Sequence, residues 1–166
     1  MANDAGQQPD WSDVNLAHAR TLVQQMGIKF TEASAQRVVG TMPVAGNTQP
    51  LGLLHGGASC VLAETLGSVG AALHAGPGRF SVGIEINATH HRAAAAGEVT
   101  GVATQIQAGQ TLASYEIVIT DDRGRRICTA RLLCMLRDSV PGSRSGPLAT
   151  ASAPGDRAGD AGPGAG

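Results

Sequence analysis

Glu64 lies in the stretch CVLAETLGSVG, a carboxylate among apolar and small residues, with Ser68 one helical turn further along the same face. A carboxylate in such surroundings is costly unless it is solvated or hydrogen-bonded. It therefore either faces solvent as an ordinary helix residue or lines a cleft, where it can attack a carbonyl carbon or activate water. Just upstream, LLHGGAS at Leu53 to Ser59 places His55, Gly56 and Gly57 where a helix begins. The free N–H groups and positive dipole end of such a terminus suit negative charge developing on a carbonyl oxygen, and a missing side chain gives a ligand close access. The alternative is a glycine-rich turn in which His55 caps the helix. A third stretch, GIEINATHHR at Gly83 to Arg92, sends Ile84, Ile86 and Ala88 to one face and Glu85, Asn87 and Thr89 to the other, leaving Asn87, His90, His91 and Arg92 near a strand end. Adjacent histidines on an extended strand point apart and no acid or cysteine completes a ligand set, so no metal is expected. Packing of neutral imidazoles, or a rim facing phosphates, fits these residues better.

These groups need a long helix and a sheet to position them. From His55 or Gly56 to His74 the chain carries apolar residues on several faces and no proline, a length of about 28 Å as helix, far too long for a strand. Glycine at 56, 57, 67 and 70 costs up to about 1 kcal/mol for each interior position. That cost is tolerable where neighbouring backbone must approach closely, so the helix is expected against a sheet, with Gly67 or Gly70 serving packing alone. Strands are predicted at Ile28 to Thr31, Gln36 to Val44, Phe80 to Thr89, Glu98 to Ala108, Thr111 to Thr120 and Arg126 to Leu136 from their alternation. Asn47 to Gly52 reads as a loop, and the turns at Ala108 to Gln110 and Asp121 to Gly124 join the last three strands into an antiparallel meander. The whole is an α+β domain with one long helix on one face of an antiparallel sheet.

Val14 to Met26 has apolar residues at helical spacing, with Ser12 or Asp13 available as cap, so residues 1–27 form an N-terminal segment with a short helix. Residues 28–137 form the domain. The segment 138–166, rich in Gly, Ala, Ser and Pro, cannot bury enough apolar surface to offset its ordering and is expected to be disordered. A chain of 166 residues with formal charge −1 and only a short Arg123, Arg125, Arg126 cluster gives no footprint for nucleic acid. Cys60, Cys128 and Cys134 lie in apolar stretches without metal-binding spacing, as reduced core thiols of a cytoplasmic protein. No signal peptide and no membrane partner are expected.

NTQPLGLLHGGASCVLAETLGSVGAAL followed by VGIEINATHHR resembles the hotdog-fold acyl-CoA thioesterases of the phenylacetate-pathway and 4-hydroxybenzoyl-CoA type, most of all the branch acting on 1,4-dihydroxy-2-naphthoyl-CoA. The similarity spans roughly Ile28 to Arg137, and the combined spacing of Gln49, His55-Gly56 and Glu64-x-x-x-Ser68 carries it. The resemblance implies a hotdog fold, a long central helix wrapped by a curved antiparallel sheet, with protomers pairing into a continuous sheet as homodimers or homotetramers and active sites at the interface. It implies that the Gly56 N–H polarises the thioester carbonyl with His55 beside it, and that Gln49 orients carbonyl or water. Glu64 reaches substrate held largely by the partner subunit, and Ser68 tunes Glu64. Gly57, Asn87, His90 and Arg92 are expected on the substrate or CoA side. No cofactor is expected beyond the CoA of the substrate.

Glu64 then acts either as nucleophile or as general base, and the sequence does not choose. A hotdog hydratase or dehydratase, or a non-catalytic acyl-CoA binding module, are the alternatives; the HGG to Glu64 arrangement favours hydrolysis of an aromatic acyl-CoA.

Overall fold

A computed structural model of the chain describes residues 21–138. The expected N-terminal helix before residue 21, its Ser12 or Asp13 cap, and the tail from residue 139 lie outside the described residues. The elements run α1 (Leu22–Gln25), β1 (Lys29–Ala33), β2 (Arg37–Pro43), α2 (Gly56–Ala75), β3 (Arg79–His90), β4 (Glu98–Ala108), β5 (Leu112–Thr120) and β6 (Arg126–Asp138). Every strand pairing is antiparallel, and the sheet order is β1-β2-β4-β5-β6-β3. The β4-β5-β6 meander is the one the turns predict. The pairing of β3 with β6 is long-range: α2 carries the chain from the β2 side of the sheet to its opposite edge, and β3 closes that edge.

Strands β2, β4, β5 and β6 alternate buried and open positions, which turns Val38, Met42, Val99, Ala103, Tyr115, Ile117, Leu132 and Cys134 toward the helix. Two strands break the expected alternation. A bulge between Gly83 and Glu85 makes Ile84 an extra residue, 48% exposed, so only Ile86 and Ala88 of the predicted inward set pack on the core. A second bulge, between Gln105 and Gln107, leaves Ile106 exposed on the outer face and turns Ala108, rather than Gln107, toward the core.

Helix α2 has the length and mean hydropathy, 1.2, of a membrane span, but half of it is buried against this sheet. Its approach is close because glycines face large side chains in both directions. A Cβ at Gly67 would sit 2.6 Å from Leu132 Cδ2, and one at Gly70 would sit 2.7 Å from the Tyr115 ring. In return Leu66 reaches over Gly40 and Gly101, where an added Cβ would lie 2.8 and 2.6 Å from its methyl groups. These are the close backbone contacts expected of Gly67 and Gly70. Tyr115 is fixed in turn by donating its hydroxyl to the Ala35 carbonyl at 2.6 Å.

At the β5–β6 turn, the buried Asp121 accepts N–H bonds from Arg123 and Arg125 through Oδ1, and Arg125 Nε donates to its Oδ2. The Arg125 side chain and these N–H groups hold the Asp121 carboxyl below its ordinary range, overcoming burial. Part of the arginine cluster thus fastens a turn.

Two expectations follow from this packing. Gly70→Ala would gain up to about 1 kcal/mol in helix propensity, yet the new methyl collides with a ring that cannot slide. Urea denaturation should show a net loss of about 1–3 kcal/mol, and a stabilised variant would mean that the ring yields. Burial, then the Cys134 charge, pushes the Tyr115 phenol up from 10.0 to about 12. Its folded-state value lies above the unfolded one, so its contribution is complete below pH 10 and is lost as pH rises from about 10 through about 12. Tyr115→Phe should flatten the fall of the urea midpoint across that window, while leaving the earlier fall expected from Cys128, which burial and then Cys60 raise from 9.0 to about 11.

Candidate active site

The first turn of α2 forms one wall of an open cleft. Its N-cap, His55, has extended backbone, φ −68° and ψ 133°, and its ring Nδ1 accepts the Gly57 N–H at 2.8 Å. The imidazole therefore satisfies one of the orphan donors of the helix terminus. The Ala58 and Ser59 N–H groups turn back to the His55 carbonyl. Gly56 N–H, the first of the helix, has no hydrogen-bond partner among the described residues.

That donor opens into a cleft of about 420 Å³ lined by Gln49, Leu53, Leu54, Gly56, Ser59, His90, His91, Arg92, Ala93, Ala94 and Ile127. The opposite wall is the end of β3 and the segment after it. His90 folds its ring onto the helix start, and a Cβ at Gly56 would lie 2.9 Å from its Nε2. Glycine at 56 thus lets an imidazole and a free N–H share one small space. The Gln49 loop is held by several bonds. Asn47 Nδ2 donates to the Met26 and Pro43 carbonyls at 2.8 Å, His55 N–H donates to Asn47 O at 2.9 Å, and Leu54 N–H to Ala94 O at 2.7 Å. Gln49 Oε1 accepts the Leu51 N–H at 2.8 Å, so the amide NH₂ is the part left to address a ligand.

Of the residues singled out from the sequence, Gln49, Gly56, His90 and Arg92 meet in this cleft, and His55 and Gly57 form its capped rim. Ser59 also lines it, a residue the sequence reading missed; its spacing of three from Gly56 on a helix is the signal that could have found it. Asn87 does not join them. Its side chain donates to Glu85 Oε1 at 2.8 Å and lines a separate depression on the outer sheet face with Glu116, Arg126, Thr129 and Arg131, because it sits on the strand face opposite Ile86 and Ala88.

Glu64 and Ser68 lie further along α2. The Glu64 carboxylate is exposed and rests against β3, its Oε1 2.9 Å from where a Cβ of Gly83 would be. Eight residues separate it from Gly56, about 12 Å of helix rise. Ser68 is not bonded to Glu64; its hydroxyl lies 4.0 Å from Cys134 Sγ, and its carbonyl accepts from Ser81 Oγ. The expected tuning of Glu64 by Ser68 is thus not a direct hydrogen bond in this conformation. All three cysteines are free thiols, and no cluster of potential metal ligands occurs among the described residues.

Comparison with known proteins gives the same picture. Residues 51–128 match the thioesterase superfamily profile. The chain is 48% identical over 120 residues to a proofreading thioesterase, EntH, of Cronobacter turicensis, covering 72% of this chain and 88% of the relative. Its fold superposes on a Haemophilus influenzae thioesterase with a TM-score of 0.77 at 31% identity, over 83% of this chain and 97% of the other. A Staphylococcus aureus thioesterase superposes with a TM-score of 0.68 at 32% identity, over 70% and 98% of the two chains, and has been solved with alanine replacing a glutamate. Another structure of that protein has alanine replacing a glutamine fifteen positions earlier. With a helix wrapped by a six-stranded antiparallel sheet, an unpaired helix N-terminal donor in a cleft, and most of a thioesterase's length matched at this identity, the chain belongs to the hotdog thioesterase superfamily and is a thioester hydrolase.

Proposed function

We propose that the chain hydrolyses an aromatic acyl-CoA, a hydroxylated aryl thioester of the 1,4-dihydroxy-2-naphthoyl-CoA or hydroxybenzoyl-CoA kind, to the free acid and CoA. The observation that carries this reading is the unpaired Gly56 N–H, facing a cleft with an amide and an imidazole to either side. A thioester carbonyl oxygen accepting from that N–H gains stabilisation as it becomes an oxyanion. The Gln49 NH₂ group orients the carbonyl or the attacking water. Leu53, Leu54, Ala94 and Ile127 supply an aliphatic lining that desolvates a ring as well as an aromatic one would. Arg92 stands at the rim, where it meets the CoA phosphates.

Glu64 is the acid of the reaction, either attacking the thioester carbon to form an anhydride or taking the proton of a water that attacks it. The separation of Gln49 and Glu64, fifteen residues, equals that of the two substituted residues in the Staphylococcus aureus protein, which supports pairing them in one site. One carbonyl cannot meet both Gly56 and Glu64 of the same helix across about 12 Å. The acid at each cleft is therefore taken to come from a second copy. The open edge of β3, twelve residues long with Val82 and Ile84 exposed, is where that copy pairs. Homodimers, or tetramers built from them, are the working form, in the reducing cytoplasm that three free thiols favour.

Two variants and their hybrid test this. Glu64→Gln should abolish CoA-thiol release from aryl-CoAs without changing the fold. Gly56→Pro removes the N–H at the first helical position, where proline is tolerated and where the ψ of 133° at His55 suits a following proline, and its ring pushes the His90 imidazole aside as well. It should lower kcat by about 10²–10³. Co-refolded in equal amounts, the two inactive variants should regain about a quarter of wild-type activity, because about half of the dimers are hybrids and one of the two sites in each hybrid is intact; no recovery would place donor and acid in the same subunit. Enoyl-CoA interconversion without thiol release would replace hydrolysis with hydration.

A further inference from the structure

Ser59 is 3% exposed, and what surface it keeps belongs to the cleft. Its backbone N–H turns back to the His55 carbonyl, but its hydroxyl makes no hydrogen bond among the described residues, not even the return bond to the carbonyl four residues back that a helical serine commonly forms. The hydroxyl oxygen stays open to the cleft, so a ligand group that bonds to it exchanges a solvent contact for a directed one. Nothing else in the cleft is placed as it is. Gln49 Oε1 is already committed to Leu51 N–H, and the His90 ring lies on Gly56. Ser59 offers there a donor and an acceptor that no hydrogen bond among the described residues uses, on a side chain held in the helix rather than on a ring packed over Gly56.

Its position defines what it meets. Ser59 follows Gly56 by three residues, on the same side of the helix and about 4.5 Å further along the axis. With the thioester oxygen on the Gly56 N–H, the next polar position on the acyl group is an oxygen on the carbon β to the carbonyl carbon. In the planar conformer this oxygen lies beside the carbonyl oxygen, within hydrogen-bond distance of about 2.6 Å. A hydroxyl ortho to an aroyl thioester and the hydroxyl of a 3-hydroxyacyl chain both occupy it.

We propose that Ser59 is a specificity-determining residue whose hydroxyl hydrogen-bonds a β-hydroxyl of the acyl group, so that the enzyme selects acyl thioesters carrying one. The inference rests on the thioester carbonyl sitting at Gly56, as in the reading above.

The test compares kcat/KM within pairs of substrates: 2-hydroxybenzoyl-CoA against benzoyl-CoA, with 4-hydroxybenzoyl-CoA as positional control, and 3-hydroxybutyryl-CoA against butyryl-CoA. Wild type, Ser59→Ala and Ser59→Thr are measured, with thermal unfolding to register any loss of fold. The ratio for the β-hydroxyl pair should fall about tenfold in Ser59→Ala, the size expected for one hydrogen bond, and Ser59→Thr should restore it. The 4-hydroxybenzoyl ratio should not follow. An unchanged ratio, or an equal fall for the 4-hydroxy substrate, overturns the proposal. If wild type cleaves only aliphatic thioesters, the aryl reading fails while the butyryl pair still decides Ser59. CoA release from none of the panel overturns both.

Discussion

The separation between helix α2 and the sheet is the constraint on which the rest of the structure depends. Gly67 and Gly70 admit Leu132 and Tyr115 from below, while Gly40 and Gly101 admit Leu66 from above, so the two layers approach more closely than side chains on both would allow. Glycine inside a helix gives up intrinsic stability, and here the dense packing of leucine and a hydrogen-bonded tyrosine offsets it. A helix locked this way cannot roll or slide. Its first turn is then fixed against the segment after β3, and Glu64 is fixed against the β3 bulge.

The same rigidity explains how a chain with few aromatic residues builds a site on main-chain atoms. The Gly56 donor is available because its neighbours are spoken for: His55 caps Gly57, and the His55 carbonyl takes Ala58 and Ser59. Asn47, bonded to both Met26 and Pro43, ties the Gln49 loop to the end of α1 and to β2. The cleft is thus assembled from four sequence regions, each held by its own hydrogen bonds. The proposed acid stands outside it, on the side of the helix that faces the unpaired strand edge.

Most of the architecture was legible because it is local. The helix over 56–75, the β4-β5-β6 meander and all six strands follow from periodicity and turn chemistry, and strand ends shift by only a few residues. The closure of β3 on β6 was not readable from alternation, since nothing in either strand's pattern names its neighbour. The bulge at Ile84 was missed for a related reason: an apolar residue in an alternating run shares a face with its neighbours at spacing two until the register slips. Gln49, Gly56, His90 and Arg92 were brought together as expected. Asn87 was not, because strand parity puts it on the outer face. The choice between donor and cap for the HGG stretch resolved into both, Gly56 free and Gly57 capped. Ser59 passed unnoticed because a serine among small helical residues looks like packing until its hydroxyl is found without a partner.

Gly83 has a consequence for how the acid is aimed. Its bare α-carbon borders a Glu64 oxygen on one side and Leu132 on the other. A larger residue there pushes the carboxylate aside, which its exposed and flexible stem allows, so whatever stands at position 83 sets the direction in which the acid leaves the helix. Glycine, the residue of least shape, leaves the reacting group its full range of aim.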